Sequence, residues 1–262
     1  MKLLLLLLTP LLLFSKVHYA KVEPMETITL KAAASAQVTE TKMVLEGTTV
    51  TGTIIKLDDK LDHIKLTSSK ASLKLVQSMI VSNQNILAAL RQSLNKQKAY
   101  YSRISNIVSA SKTQKDNAFY AFTNAKTQYF STKEKIDSLK KQKLDLKYEI
   151  ARLQDSIGKK SIRLDNKFLD KLLVSVGDFV NMGTPLAQVQ DLSSAKLVLF
   201  LEAKELEKIK SKTIYLDDKA TKYKVTKIWK VADEKFISSY RTEIIIKNPK
   251  ESFSKLLKVE FK

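Results

Sequence analysis

The sequence predicts an α+β fold, a long antiparallel coiled-coil helical hairpin flanked on both sides by short strands. Three observations carry this. The stretch from Thr53 to Ile157 has no glycine and no proline. Apolar residues recur every seventh position along two successive runs inside it, the pattern of a heptad seam. On both sides the period falls to two, among β-branched residues and turn residues.

In the outgoing run Leu73, Ile80, Leu87, Leu94, Tyr101 and Val108 form one row, and Val76, Leu90 and Ile104 most of a second. In the return run Phe122, Tyr129, Ile136, Ile150 and Ile157 form one row, and Leu139, Leu146 and Leu153 the other. Asn83, Gln97 and Lys143 interrupt the seams with polar side chains, which fixes register at some cost in stability. Between the runs Ser109-Ala110-Ser111-Lys112-Thr113 marks the reversal, and Ser111 with Gln114 matches a capping box. Gly158, followed by Lys159 and Lys160, reads as the helix stop. Arms of about forty residues reach roughly 60 Å.

Before the hairpin, Ile28, Leu30, Val44, Val50, Ile54 and Ile55 predict short strands punctuated by Gly47 and Gly52. Leu57-Asp58-Asp59-Lys60 reads as a turn, not as a catalytic carboxylate pair, because no histidine or third acid lies nearby. Thr67, Ser68 or Ser69 is the expected helix cap. After the hairpin, alternation through Ile162, Leu164, Phe168 and Leu172 leads to tight turns at Gly177-Asp178 and at Gly183 with Pro185. A strand over 196–201, a short helix over 202–209, and strands around 223–231, 241–247 and 257–261 follow, with Asn248-Pro249 at a turn.

Composition narrows the chemistry. Of 262 residues none is Cys, which excludes disulfides, thiolate metal sites and a lipid-modified N-terminal cysteine. Lys2, the apolar run Leu3 to Phe14 and the segment ending at Ala20 read as a secretory signal cleaved after Ala20, although His18 suits that site poorly. The net charge of +19 is spread over every segment, as in a solvated lysine-rich surface, and does not cluster with aromatics as a nucleic-acid site would. One asymmetry stands out: between Asp62 and Asp116 there is no acid, so the outgoing helix is purely cationic.

No Ser elbow, phosphate loop or metalloprotease helix is present, and His18 and His63 cannot make a zinc site by themselves. Met25 and Met43 are better explained by packing than by soft-metal capture.

The run Gly177-Asp178-Phe179-Val180-Asn181-Met182-Gly183-Thr184-Pro185-Leu186, placed just after a helical hairpin, resembles the second lipoyl-type half-motif of periplasmic adaptor subunits, the membrane fusion proteins of the HlyD and RND-efflux type. The resemblance covers nearly the whole chain, most strongly from Thr67 onward. It implies a signal peptide at 1–20, N-terminal strands and a first lipoyl half at 21–66, the hairpin at 67–159, the second half of the lipoyl-like β-sandwich at 160–194 and a small β-barrel at 195–262. The first half lacks a Gly-Asp turn, having only Gly52 to Asp59.

In such adaptors the hairpin end meets the outer-membrane channel through an Arg, a Leu four later and a Ser seven after that. Here the positions are Tyr100, Ile104 and Ser111, with Arg103 one turn from the missing arginine. The resemblance implies a non-enzymatic periplasmic protein, peripheral to the inner membrane, without cofactor, metal or nucleic acid. Its expected partners are further copies of itself, an inner-membrane transporter, RND more than ABC because no N-terminal transmembrane helix is evident, and an outer-membrane factor of the TolC type. Two other functions compete. A lipoyl or biotinyl carrier shares the turn motif but needs a lysine where Ser193 stands, and Lys171 precedes the turn. A structural envelope coiled coil explains the hairpin but not the run from Gly177 to Leu186.

Overall fold

A computed structural model describes residues 16–247, 249 and 253–262. The apolar run of the expected leader, and Asn248 of the expected turn, lie outside them. Among the described residues, eleven strands and three α-helices are arranged as two small β-bodies joined by two long strands, with the hairpin rising from one body.

The joining strands are β1 (Val17–Lys31) and β6 (Pro185–Glu202). They pair antiparallel along most of their length, from Val22 opposite Leu197 to Lys31 opposite Pro185, with a register shift between Pro24 and Glu26. Proline has no N–H for the ladder, and a bulge absorbs that loss where the strands pass from one body to the other. Each strand thus serves two cores. Val22 and Leu197 belong to the distal one, while Val189 belongs to the proximal one and Ile28 and Leu30 of β1 pack against it.

In the proximal body β6 is followed across the sheet by β4 (Ser161–Leu172), β3 (Thr48–Leu57), β2 (Ala36–Thr41) and the two-residue β5 (Phe179–Val180). Alternate side chains close on a core that includes Val38, Ile55, Leu57, Leu169, Val180 and Leu186, all nearly inaccessible to solvent. The chain contributes β1 to β3 before the hairpin and β4 to β6 after it. The hairpin thus interrupts one antiparallel sheet, with strands before and after it.

The distal body has the order β9 (Val225–Ile228), β10 (Ser239–Lys247), β6, β1, β11 (Leu256–Phe261), β7 (Ile214–Leu216) and β8 (Lys219–Ala220), around Leu199, Leu201, Ile214, Ile244 and Val259. Among the described residues no ladder joins β8 to β9, so the sheet curls round one core without the closure expected of a barrel. The expected helix over 202–209 shortens to α3 (Ala203–Leu206), because Lys208 takes a left-handed conformation and the chain continues as one 3-10 turn.

Helix α1 spans Lys60–Ser105 and α2 spans Lys112–Lys159. The start of α1 precedes the expected hydroxyl cap by two turns. Asp58 Oδ1 accepts from Lys60 N at 3.1 Å, so the aspartates read as a turn begin the helix. Thr67 lies within it and donates back to the His63 carbonyl at 2.9 Å. Gly158 is helical too, and α2 ends one residue beyond it.

The seam runs as expected through Val76, Ile80 and Leu139, which form a small core with Leu146 packed against it. Ala118 and Ala125 extend the Leu139 row toward the tip, both buried, where a pattern of large apolar residues passes over them. Asn83 is buried on the seam, and its Nδ2 donates to the Met79 carbonyl at 2.7 Å.

Candidate docking surfaces

At the far end of the hairpin α1 stops at Asn106 and α2 starts at Ser111, where both halves of the capping box form. Gln114 N donates to Ser111 Oγ at 3.2 Å, and Ser111 N donates to Gln114 Oε1 at 2.9 Å. Beneath this turn Tyr101 stacks on Phe122 with ring centroids 5.7 Å apart and meets Phe119 at 5.6 Å. Aromatic contacts of this kind contribute about 0.5–1.5 kcal/mol beyond area burial and hold the apex in one arrangement.

The predicted tip residues divide between inside and outside. Ile104 is half-buried on the seam, Tyr100 and Arg103 are exposed, and Ser111 is engaged as the cap. Val108, assigned by its spacing to the seam, is not on it. The helix has ended two residues earlier, and Val108 is 98% exposed at the apex beside the partly exposed Ile107. The pair is an apolar point at the apex. Along α1 neither Lys96, Lys98 nor Arg103 has a carboxylate within ion-pair distance among the described residues, whereas Lys65, near the base, is held at 2.8 Å by Glu149.

At the base of the hairpin Lys160 Nζ lies 2.8 Å from Asp62 Oδ2, which also accepts from Ser156 Oγ at 3.2 Å. The ammonium, foremost by its hydrogen bond, holds the Asp62 carboxyl below the usual carboxylate range. Glu149, bonded by Arg152 and then Lys65, is lowered to about 2.

The turn motif is a clamp between the two halves of the proximal body. Gly177 has φ +99° and donates to the Val38 carbonyl at 2.9 Å, while Val38 N donates to the Asp178 carbonyl at 2.8 Å. Asp178 Oδ2 closes the turn by accepting from Ser175 N at 2.8 Å. Val180 and Leu186 are buried anchors on either side of Gly183, which has φ +88° and donates to the Ala32 carbonyl at 2.8 Å. Pro185 opens β6 opposite Lys31. These residues join halves separated by the whole hairpin. Ser193, where a carrier would present its lysine, lies within β6, and its N–H donates to Asp191 Oδ1 at 3.0 Å.

The distal body has an aromatic and cationic surface that no sequence motif announces. Lys227 Nζ and Arg241 Cζ lie 4.3 and 4.8 Å from the Trp229 ring centroid. A cavity of about 410 Å³ beside them is lined by Leu206, Lys210, Val225, Ile228, Trp229 and Tyr240. On the loop between β9 and β10, Val231 and Ile237 are 78% and 85% exposed. Lys16 Nζ reaches Glu202 at 2.7 Å, and Glu202 pairs with Ser239, so the described chain begins on this same body. No group of three or more potential metal ligands occurs among the described residues, and no helix there is long and apolar enough to cross a membrane.

No family model matches the sequence, and no curated protein does. Solved structures do. MacA from Actinobacillus actinomycetemcomitans superposes with a TM-score of 0.73 at 18% identity, over 95% of this chain and 78% of that one. A MacA–MexA chimera containing the Pseudomonas aeruginosa MexA α-hairpin domain gives 0.60 at 16% identity, over 95% and 81%. The membrane fusion protein Spr0693 from Streptococcus pneumoniae R6 gives 0.50 at 9% identity, over 95% and 99%. The chain has the fold of these proteins.

Proposed function

We propose that this protein is a periplasmic adaptor that bridges an inner-membrane transporter to an outer-membrane channel, by assembling with copies of itself into a hollow conduit. The observation that supports the reading is that two unlike exposed surfaces, one at the hairpin apex and one on the distal body, are held apart by a long seam-packed hairpin. The hairpin holds an apolar tip, Ile107 and Val108, at the end of roughly 70 Å of seam-packed helix. The distal body offers Trp229, the exposed Val231 and Ile237, and the first described residue, which closely follows the apolar run of the sequence.

The protein performs no bond chemistry in this reading. Its work is positional, and the clamp from Gly177 to Leu186 keeps the hairpin fixed on its base. The unpaired cations of α1 fit a channel mouth of acidic character. The distal end would meet the transporter, with an RND pump favoured over an ABC exporter because no N-terminal transmembrane helix is evident in the sequence.

Photo-crosslinking in cells from a reactive residue at position 111 tests the reading, with the captured partner identified by mass spectrometry. An outer-membrane channel protein is the expected product. Capture only of further copies or of cell-wall components, with the channel present, would replace the adaptor with a structural coiled coil. Charge reversal at Lys96, Lys98 and Arg103 is expected to weaken the channel crosslink, and an unchanged yield would remove the electrostatic part of the reading.

A further inference from the structure

The expected leader boundary falls after Ala20, yet the fold assigns the preceding residues to β1. Val17, His18, Tyr19, Ala20 and Lys21 face Glu260, Val259, Lys258, Leu257 and Leu256 along an antiparallel ladder. Ala20 is 2% exposed and belongs to the distal core with Val22. His18 Nε2 lies 2.7 Å from Glu205 Oε1, and its ring meets Phe261 edge-on at 6.2 Å. Lys16 adds an ion pair to Glu202.

A leader peptidase reads small side chains at the last and third-last leader positions. For a cut after Ala20 those positions are Ala20 and His18. His18 is too large, and both residues are occupied in the folded protein. The nearest upstream alternative, after Ser15, places Leu13 at the third-last position, so no small-x-small pair occurs in the first twenty residues.

The ladder explains what removal would cost. β1 is the strand between β6 and β11, and β11 is otherwise held by three residue pairs to β7. A chain starting at Lys21 would bare the edge of β11 over 257–260, beside the small hole left by Ala20.

We propose that the mature protein keeps Val17–Ala20 as the opening of β1, and that any proteolytic maturation falls N-terminal to Val17. The inference rests on the ladder and the leader pattern, and is independent of the adaptor reading.

Intact-mass measurement and N-terminal sequencing of the full-length gene product, purified from the cell envelope, test it directly. A first residue anywhere from Met1 to Val17 is expected, and one at His18 or later, Lys21 in particular, overturns it. A second measurement compares chains made to start at Lys16 and at Lys21. The shorter is expected to melt roughly 5 °C or more below the longer, or to fail to fold, whereas coincident melting curves would show that the segment contributes nothing and overturn the inference.

Discussion

Gly177 has nothing within 4 Å of where a Cβ would sit, so crowding is no reason for glycine there. Its φ of +99° is the reason, because an L side chain in that region meets its own backbone. Gly177→Ala is therefore expected to lose about 1–2 kcal/mol from the backbone alone, seen as a lower urea midpoint with unchanged slope. An unaltered midpoint would mean that the turn relaxes without cost. Asp62 is a second residue whose local chemistry makes a measurable demand. Lys160 holds its carboxyl below the ordinary value of 3.8, so the unfolded chain binds the proton more readily than the folded one. The stabilisation is then complete above that value and lost as pH falls through the lower, folded one. Asp62→Asn is expected to cost about 1 kcal/mol at pH 7, and the gap from the parent protein should close in acid. Denaturant curves at neutral pH and at about pH 2–3 check the sign, and a gap that widened in acid would contradict it.

The hairpin is the element most open to reading from sequence, because a repeat of seven sustained over about ten turns is compatible with little besides a helical seam. Its limits were less open, for physical reasons. Leu61 and Ile64 in the first turns of α1 are exposed, so the apolar pattern fades before the helix does and the hydroxyl cluster at Thr67–Ser69 imitates a cap. At the other end the repeat continues numerically to Val108 although the helix stops at Asn106, since spacing carries no information about where hydrogen bonding ends. The extent of β1 and β6 was hidden differently. Both are defined by partners far away in sequence, β11 for one and β1 for the other, and residues 17–20 also imitate the tail of a leader. The tip was legible in part: the Ser111 cap was foreseen, while the exposed apex and its aromatic support became evident only in three dimensions. On the seam itself Ile136 is 3% exposed, and Ile136→Ala should destabilise the hairpin by about 2–4 kcal/mol. Trp229, the sole tryptophan, lies in the distal body and offers a separate probe. The helical circular dichroism is expected to melt earlier while the Trp229 emission transition stays in place. A shift of both together would show that hairpin and bodies unfold as one unit.

At the scale of the whole molecule, the proposed function depends on length as much as on chemistry, and length can be varied separately. The two arms are in register at several heights: Asp62 meets Ser156, Ile80 packs with Leu139 and Tyr101 stacks on Phe122. Residues 84–90 of α1 therefore lie at about the level of residues 128–134 of α2. Removing both segments takes one heptad from each arm, keeps the seam in phase and shortens the hairpin by about 10 Å. Because tip, clamp and distal surface are untouched, the double deletion should leave the helical melt and Trp229 emission close to those of the parent. Removing 84–90 alone should not, since every seam residue above the cut would then face the wrong partner. If the hairpin is a spacer between two membranes, the shortened but folded protein places its tip short of the channel, and crosslinking from position 111 to the channel should fall to background. If tip chemistry alone determined the partnership, the crosslink would persist at the parent yield, and a bridging function of fixed length would have to be given up.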